Sequence, residues 1–296
     1  MSPPEIPDIS LPSPLIRFTP DWPGAREVTL WVKRDDHIHP VISGNKWRKL
    51  SGALAELPAG CNGIISFGGG FSNHLHALGY ACSELSVPFV AIVRGDYSHQ
   101  PTPMLNDIRR WGATIHYVNK LTYHQRDCPT YLASLQAQFD GFQIIPEGGS
   151  QSQALKGVGQ IVKEIHTPFD VIVSPVASGA TLAGLARALS PGQHALGIAV
   201  LKGQEYLNTL VSRFTGPHPD NWHIEHGFHH GGYAKASAEL RTFCDTLYNT
   251  YQIPVEPVYS GKMFFAVKAL LASGHFTPGS RIVLLHTGGL QGARNR

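Results

Sequence analysis

The chain has 296 residues, of which 42% are hydrophobic and 15% charged. This composition predicts a compact protein with one large core or two smaller ones, and it is unlike that of disordered chains. The chain has 24 basic and 21 acidic residues, which leaves a net charge of +3. That charge is too small for a nucleic-acid-binding surface, so we expect no nucleic-acid partner.

Cysteines, histidines and charges indicate a cytoplasmic protein without a metal. The four cysteines form no C-x-x-C pair and are typical of reduced thiols. Most of the clustered histidines, including His229 and His230, fall in a polar stretch expected to be a loop, with no cysteine at zinc spacing. The first 16 residues lack the basic start of a secretory signal. The uncharged, apolar run 171–186 is too short to span a membrane and contains Pro175.

Strands and helices are expected to alternate along the chain. The expected strands are 28–32, 63–67, 87–93, 114–118, 141–145, 171–173, 195–201 and 282–286, and the expected helices are 46–56, 73–85, 103–111, 155–165 and 182–189. Several strands are apolar on both faces, which is typical of a parallel sheet covered by helices on both sides. This pattern predicts an α/β fold with ligand sites at the carboxyl ends of its strands.

A lysine at the expected start of a helix is the first candidate site. Lys46 follows a Gly-Asn turn, and Lys49 lies about one helical turn further on, on the same face. Burial and a neighbouring cation both lower the pKa of a lysine, as a Schiff-base lysine requires. Taken alone, however, the segment is more typical of a solvated basic helix end.

A glycine-rich loop is the second candidate site. In 66–74, three glycines precede Ser72 and Asn73 at the start of an expected helix. The glycines let a ligand approach the backbone, and the free N–H groups of a helix start suit a carboxylate. Helix capping alone would account for Ser72 but not for three consecutive glycines.

A loop of small residues is the third candidate site. In 174–184, an apolar strand leads through Ser178 and Thr181 into an apolar helix, which favours a phosphate site. The loop has neither the G-K-[ST] ending of a Walker A loop nor a G-x-G-x-x-G pattern. A tight turn without a ligand is the alternative.

Five motifs occur in a characteristic order. They are GNKWRKL at 44–50, GGGFSNH at 68–74, PEGGS at 146–150, PVYSGK at 257–262 and HTGG at 286–289. The ordered set resembles the 1-aminocyclopropane-1-carboxylate (ACC) deaminase / D-cysteine desulfhydrase family of fold type II pyridoxal phosphate enzymes, which are similar to tryptophan synthase β. The resemblance covers about 11–292.

The resemblance implies pyridoxal 5'-phosphate as cofactor, a small amino-acid substrate and a homodimer. It also implies two open parallel-sheet α/β domains with the cofactor in the cleft between them. We expect the large, cofactor-binding domain to comprise 1–45 and 151–296. The small domain, 46–150, is expected to carry the Schiff-base lysine and the Ser-Asn substrate loop.

The resemblance also assigns roles to individual residues. It implies that Lys46 carries the cofactor and that Ser72 is a catalytic group beside the substrate carboxylate. The other implied catalytic groups are Tyr259 and Tyr233. The implied cofactor contacts are Lys49, Asn73, Ser178, Gly179, Ala180, Thr181, Ser260 and Thr287. The implied substrate contacts are Ser72, Asn73 and His74.

Position 260 discriminates between the reactions. By resemblance it is the partner of the cofactor's pyridine nitrogen, with Glu in ACC-deaminase-like members and a hydroxyl residue in D-cysteine desulfhydrases. Ser260 would leave that nitrogen largely neutral, and the resulting weaker electron sink suits loss of a good β leaving group better than cyclopropane opening. We therefore predict α,β-elimination, with D-cysteine giving pyruvate, hydrogen sulfide and ammonia.

Three alternatives remain open on the sequence. The first is ACC deaminase, which would release 2-oxobutyrate and ammonia. The second is deamination of another D-amino acid such as D-serine. The third is a catalytically silent relative that binds the cofactor or an amino acid. The joint presence of Lys46, Ser72 and Tyr259 argues against the third.

Overall fold

A computed structural model describes residues 6–216 and 220–294. The strands are β1 (Leu15–Phe18), β2 (Thr29–Arg34), β3 (Gly63–Gly69), β4 (Phe89–Arg94), β5 (Thr114–Val118), β6 (Phe142–Ile145), β7 (Val171–Val176), β8 (His194–Ala199), β9 (Trp222–Glu225) and β10 (Arg281–His286). The helices are α1 (Asn45–Ala55), α2 (Asn73–Glu84), α3 (Pro103–Arg110), α4 (Lys120–His124), α5 (Pro129–Gln138), α6 (Ser152–Lys163), α7 (Ala180–Ala188), α8 (Gln204–Thr215), α9 (Ala238–Tyr251) and α10 (Ser260–Ala272). In this part of the chain, no helix is both long and apolar enough to cross a membrane.

The strands form two sheets. The larger has the order β1-β2-β10-β7-β8-β9, and the smaller has the order β5-β4-β3-β6. Every pairing is parallel except that of the edge strand β1, which runs antiparallel to β2. The predicted α/β class with two parallel sheets is confirmed. The domain boundaries at 45/46 and 150/151 stay a prediction.

Helices cover both faces of each sheet. In the larger sheet, side chains alternate along β10: Ile282 and Leu284 pack towards α9 and α10, whereas Val283 and Leu285 pack towards α6, α7 and α8. In the smaller sheet, α1, α2 and α3 cover one face and α4 and α5 the other. Because both faces of the central strands are buried, their sequences are largely apolar, interrupted by the buried Ser66 of β3 and Ser174 of β7.

Several elements differ from the sequence expectation. Strand β7 continues to Val176, three residues past the predicted end at Val173, and carries Pro175 in register with Ile198 of β8. The stretch expected to be a histidine-rich loop begins with β9, so His223 lies on an edge strand. Strands as short as β1 and β9 show too little periodicity to be recognised from sequence alone.

The carboxyl ends of four strands carry the predicted motifs. The loop after β3 leads into α2, the loop after β7 leads into α7, and the loops after β6 and β10 contain the Pro-Glu-Gly-Gly-Ser and His-Thr-Gly-Gly segments. In each sheet the parallel strands share one direction, so these loops lie at the ligand-binding edge of the fold.

A buried ion-pair network attaches α1 to the larger sheet. Arg48 is 2% exposed and donates to Asp35 at 2.9 and 3.1 Å and to Glu164 at 2.5 and 2.8 Å. Lys33 of β2 donates to the same Glu164 at 2.6 Å. The network therefore fixes α1, whose second residue is the candidate lysine Lys46, against α6 and β2.

We expect part of the acid sensitivity of the fold to depend on Glu164. Burial raises the pKa of its carboxyl, but hydrogen bonds from Arg48 and Lys33 and their charges outweigh burial and lower it below 4.5. A carboxyl with a lowered folded-state pKa stabilises the fold above its unfolded pKa, and that contribution is lost as the pH falls through the folded pKa.

The free energy of unfolding, measured by urea titration from neutral pH to about pH 3, should therefore fall more steeply in the wild type than in Glu164→Gln. The control variant Glu205→Gln, at an exposed position, should keep the wild-type slope. Equal slopes for the wild type and Glu164→Gln would contradict the prediction.

Candidate active site

Lys46 lies at the start of α1, immediately after a sharp turn. Gly44 has a φ of 68°, and a β-carbon there would collide with the carbonyl group of Thr287, so the turn requires glycine. Lys46 Nζ donates to Asn45 Oδ1 at 2.7 Å, and Asn45 Nδ2 donates to Thr181 Oγ1 at 2.9 Å. Asn45 thus links the lysine to the start of α7.

The environment of Lys46 favours an uncharged amine. Burial lowers its pKa from 10.5 to about 8, and the negative charge of Glu256 opposes part of that shift. The nearby Lys49 is 3% exposed, and burial followed by the charge of Lys46 brings its pKa well below the ordinary value. A substantial fraction of Lys46 is therefore a neutral nucleophile near pH 8.

The loop between β7 and α7 forms a cradle for an anion. Gly179 has a φ of 82°, and a β-carbon there would lie 2.9 Å from the backbone of Leu210. Lys49 Nζ donates to Ser178 Oγ at 3.4 Å, and Ser150 Oγ donates to Ser178 Oγ at 2.7 Å. The free N–H groups at the start of α7 and the lysine suit a phosphate group, whose negative charge would also stabilise the buried ammonium.

The start of α2 offers a second anion site. Ser72 Oγ accepts a hydrogen bond from the N–H of Leu75 at 3.1 Å, so Ser72 caps the helix. Capping uses a lone pair of the hydroxyl and leaves its proton for another acceptor. The N–H groups of Asn73 and His74, in the first turn, have no partner within the helix and suit a carboxylate.

The His74 ring is a hydrogen-bond acceptor on its free side. Ser66 Oγ donates to the carbonyl oxygen of Ile145 at 2.7 Å, so it must accept from His74 Nε2–H, also at 2.7 Å. His74 is 3% exposed, and Nδ1 has no partner among the described residues. Burial, then the charges of Lys49 and Lys46, bring its pKa well below the ordinary value, so the ring is neutral.

Two tyrosines meet beside Lys46. Tyr259 Oη donates to Tyr233 Oη at 3.0 Å, and Lys46 Nζ lies 5.9 Å from the centroid of the Tyr259 ring. Burial, followed by the neighbouring Tyr233, raises the pKa of Tyr259 well above its ordinary value. Tyr259 therefore keeps its proton and acts as a hydrogen-bond donor.

A glutamate that we did not predict as a site residue organises the start of α10. Glu256 is 2% exposed, and its carboxylate accepts from the N–H groups of Val258, Tyr259 and Ser260 at 2.5, 2.9 and 2.9 Å. The hydroxyl groups of Ser260 and Thr287 lie 3.2 Å apart. An acidic residue four positions before a helix start is the signal that could have identified this cap.

Asn73 has a partner near the end of the described chain. Gln291 Nε2 donates to Asn73 Oδ1, which leaves Asn73 Nδ2 as the donor for a ligand. Gly289 has a φ of 84°, which favours glycine, and a β-carbon there would lie 2.5 Å from that nitrogen. Sequence reasoning missed Gln291, because nothing in the local pattern relates it to α2.

The predicted site residues lie in the described part of the chain, and their contacts connect both sheets. Asn45 links Lys46 to Thr181 through two hydrogen bonds. The ring of Tyr259 lies beside the Lys46 amine. The loop after β6 contacts the cradle after β7. Ala180 opens α7 next to Thr181, and the Thr287 carbonyl accepts from the N–H of Asn45 at 3.3 Å.

Residues 11–288 match the family model described as pyridoxal-phosphate dependent enzyme. The chain is 28% identical to a putative 1-aminocyclopropane-1-carboxylate deaminase of Pyrococcus abyssi, over 90% of this chain and 86% of that relative. It is also 28% identical to the mitochondrial bifunctional D-cysteine desulfhydrase/1-aminocyclopropane-1-carboxylate deaminase of Arabidopsis thaliana, over 95% and 77%. A crystal structure of an ACC deaminase homologue superposes with a TM-score of 0.82 at 26% identity, covering 99% of this chain and 93% of that one.

The chain belongs to the family of pyridoxal-phosphate dependent enzymes. Within it, the similarity is to proteins named ACC deaminase and D-cysteine desulfhydrase, as the ordered motifs predicted. The residues present fit the cofactor: Lys46 has an amine that is partly neutral, and Lys49 with the start of α7 would suit its phosphate group. These comparisons leave the substrate open, since relatives of both names match.

Proposed function

We propose that this enzyme catalyses α,β-elimination of D-cysteine to pyruvate, hydrogen sulfide and ammonia. The observation that carries the proposal is the neutral, fully buried hydroxyl of Ser260 at the position assigned to the pyridine nitrogen. Its neighbour there is another hydroxyl, that of Thr287. The nearby carboxylate of Glu256 accepts from backbone N–H groups at the start of α10.

The polarity of that position decides between the reactions. Bound pyridoxal phosphate withdraws electrons from the α-carbon of an amino acid, and more strongly when its ring nitrogen is protonated. Ser260 supplies no negative charge to hold that proton. It therefore favours loss of a good leaving group such as hydrosulfide over opening of a cyclopropane ring.

Lys46 is the residue best suited to move the α-proton. As a free amine with a pKa of about 8, its Nζ atom would accept a proton near neutral pH. Tyr259 is a poorer base because its pKa is raised well above the ordinary value. We assign Tyr259 and Tyr233 to hydrogen bonding at the substrate instead.

The substrate carboxylate is assigned to the start of α2. The hydroxyl proton of Ser72 and the N–H groups of Asn73 and His74 are the proposed donors. The ring of His74 offers a lone pair on its free side and so does not donate to a carboxylate while Ser66 retains its bond to Ile145. We therefore propose that His74 contacts the carboxylate through its backbone.

ACC deamination is the second candidate, supported by the names of the relatives. To separate the two, the purified holoenzyme should be given D-cysteine, L-cysteine, D-serine and ACC in turn. Sulfide, pyruvate and 2-oxobutyrate are then assayed.

We expect sulfide and pyruvate from D-cysteine at a kcat/KM at least about tenfold above the kcat/KM for ACC deamination, a difference of about 1.4 kcal/mol. Lys46→Ala serves as the blank. Release of 2-oxobutyrate from ACC at the higher kcat/KM would replace the proposal with its alternative. Absence of product from all four compounds would support a catalytically silent relative.

We also propose that the enzyme is a cytoplasmic homodimer, as the family resemblance implies. Size-exclusion chromatography with light scattering gives the mass in solution. A mass near the 32.2 kDa of one chain would contradict the dimer.

A further inference from the structure

Lys262 is a buried lysine that makes three hydrogen bonds to backbone carbonyl groups. It lies on α10 and is 0% exposed. Its Nζ atom donates to Val200 O at 3.0 Å, His229 O at 2.8 Å and Gly232 O at 2.8 Å. Each ammonium proton therefore has an acceptor, which is the full capacity of the group.

Filling space does not explain this lysine. The helix around it is apolar, and Met263, Phe264 and Val267 belong to the core. A methionine would occupy a similar volume without the desolvation cost of burying an ammonium. What the ammonium adds is a specific attachment between α10, the segment just after β8 and the turn at 229–232.

The attached turn leads directly into Tyr233. Gly231 and Gly232 have φ values of 91° and 119°, so this turn uses conformations that other residues rarely adopt. Tyr233 follows directly and is 49% exposed, with its hydroxyl 3.0 Å from that of Tyr259. A turn with two consecutive glycines samples many conformations unless it is anchored, and two of the three Lys262 bonds fall within this one.

We propose that Lys262 is a positioning residue that fixes the Tyr233 hydroxyl against Tyr259, and through that pair sets the geometry beside Lys46. Lys262 contacts the backbone of the turn, and in this proposal it affects the reaction only through Tyr233. The inference rests on the proposed function, because it gives the tyrosine pair a role at the substrate.

The test is a double-mutant cycle. Lys262→Met should lower kcat about 10- to 100-fold, the scale expected from misplacing a group by about 1 Å, with a smaller change in KM. In a Tyr233→Phe background the same change should lower kcat less than about twofold, because the hydroxyl it positions is already absent. Lys268→Met, at an exposed position on the same helix, is the matched control and should leave kcat unchanged.

A second variant covers the case in which Lys262→Met fails to fold. Gly232→Ala strains the turn, since its φ is 119°, but meets open space apart from Lys202 Cγ at 3.6 Å. Gly232→Ala leaves the residues of the core unchanged. It should lower kcat as Lys262→Met does, and in the Tyr233→Phe background it should lower kcat less than about twofold.

Hydrogen exchange of the apoenzyme measures the order of the turn and does not depend on catalytic activity. Peptides covering 229–235 should exchange faster in Lys262→Met than in Lys268→Met. Losses of kcat that add to that of Tyr233→Phe in both variants, or unchanged exchange in the turn, would overturn the inference.

Should the wild type act on ACC instead, the cycle is run with ACC. A wild type inactive on all four compounds refutes the proposed function, while the exchange measurement still tests the anchor.

Discussion

Replacing Lys46 by alanine is expected to abolish the visible absorbance band of the holoenzyme and to lower kcat by at least about 10³-fold. The amine is the proposed covalent attachment point for the cofactor and the proposed base, so one substitution removes both roles. The matched control is Lys163→Ala, at an exposed position on α6, which should keep band and activity. A Lys46→Ala variant that retained the band would refute the attachment site.

The pH dependence of cofactor attachment follows from the same lysine. Attachment requires the neutral amine, and the pKa of Lys46 is lowered from 10.5 to about 8 by burial, against the charge of Glu256. When pyridoxal phosphate is added to apoenzyme, the rate of band formation should rise with pH and level off above about pH 8. A rate that continued to rise towards pH 10.5 would show an unperturbed lysine.

Arg48→Met is expected to lower the free energy of unfolding by about 3–5 kcal/mol. The substitution leaves the fully buried carboxylate of Asp35 without its guanidinium partner, and it removes one of the two cations that contact the partly buried Glu164. Breaking a buried ion pair on one side is costly because the remaining charge stays desolvated. Urea unfolding followed by circular dichroism measures the change.

Arg213→Met, at an exposed position on α8, is the control and should stay within about 0.5 kcal/mol of the wild type. A loss below about 1 kcal/mol for Arg48→Met would show that the network tolerates an unpaired carboxylate. Because Arg48 is on the same helix as Lys46, the variant should also bind pyridoxal phosphate more weakly.

The fold could be predicted from sequence where local signals mark the two ends of an element, whereas α8, α9 and α10 were not predicted although they have 12, 14 and 13 residues. Helix α2 and strand β5 fall within one residue of expectation, because capping residues and apolar runs mark them locally. The four-residue strands β1 and β9 could not be predicted, since their place depends on pairing with β2 and β8. Tertiary pairing outweighs local pattern in such short segments.

The site could be predicted where its residues belong to a recognisable sequence motif. Lys46 and Ser178 lie in segments whose order along the chain is diagnostic. Glu256, Lys262 and Gln291 escaped prediction as site residues because they contact backbone groups or distant residues, up to 218 positions away. A lysine within a largely apolar helix, such as Lys262, is a local signal that could have indicated such a role.

Helix α1 has consequences for how the two sheets can move. Its apolar residues Trp47 and Leu50 pack in the core of the smaller sheet, whereas Arg48 and Asn45 bond to groups of the larger one. If the smaller sheet rotated as a rigid body against the larger one, α1 would be displaced least. Lys46 would then keep its distance from Thr181 at the start of α7, and the far edge of the smaller sheet would be displaced most.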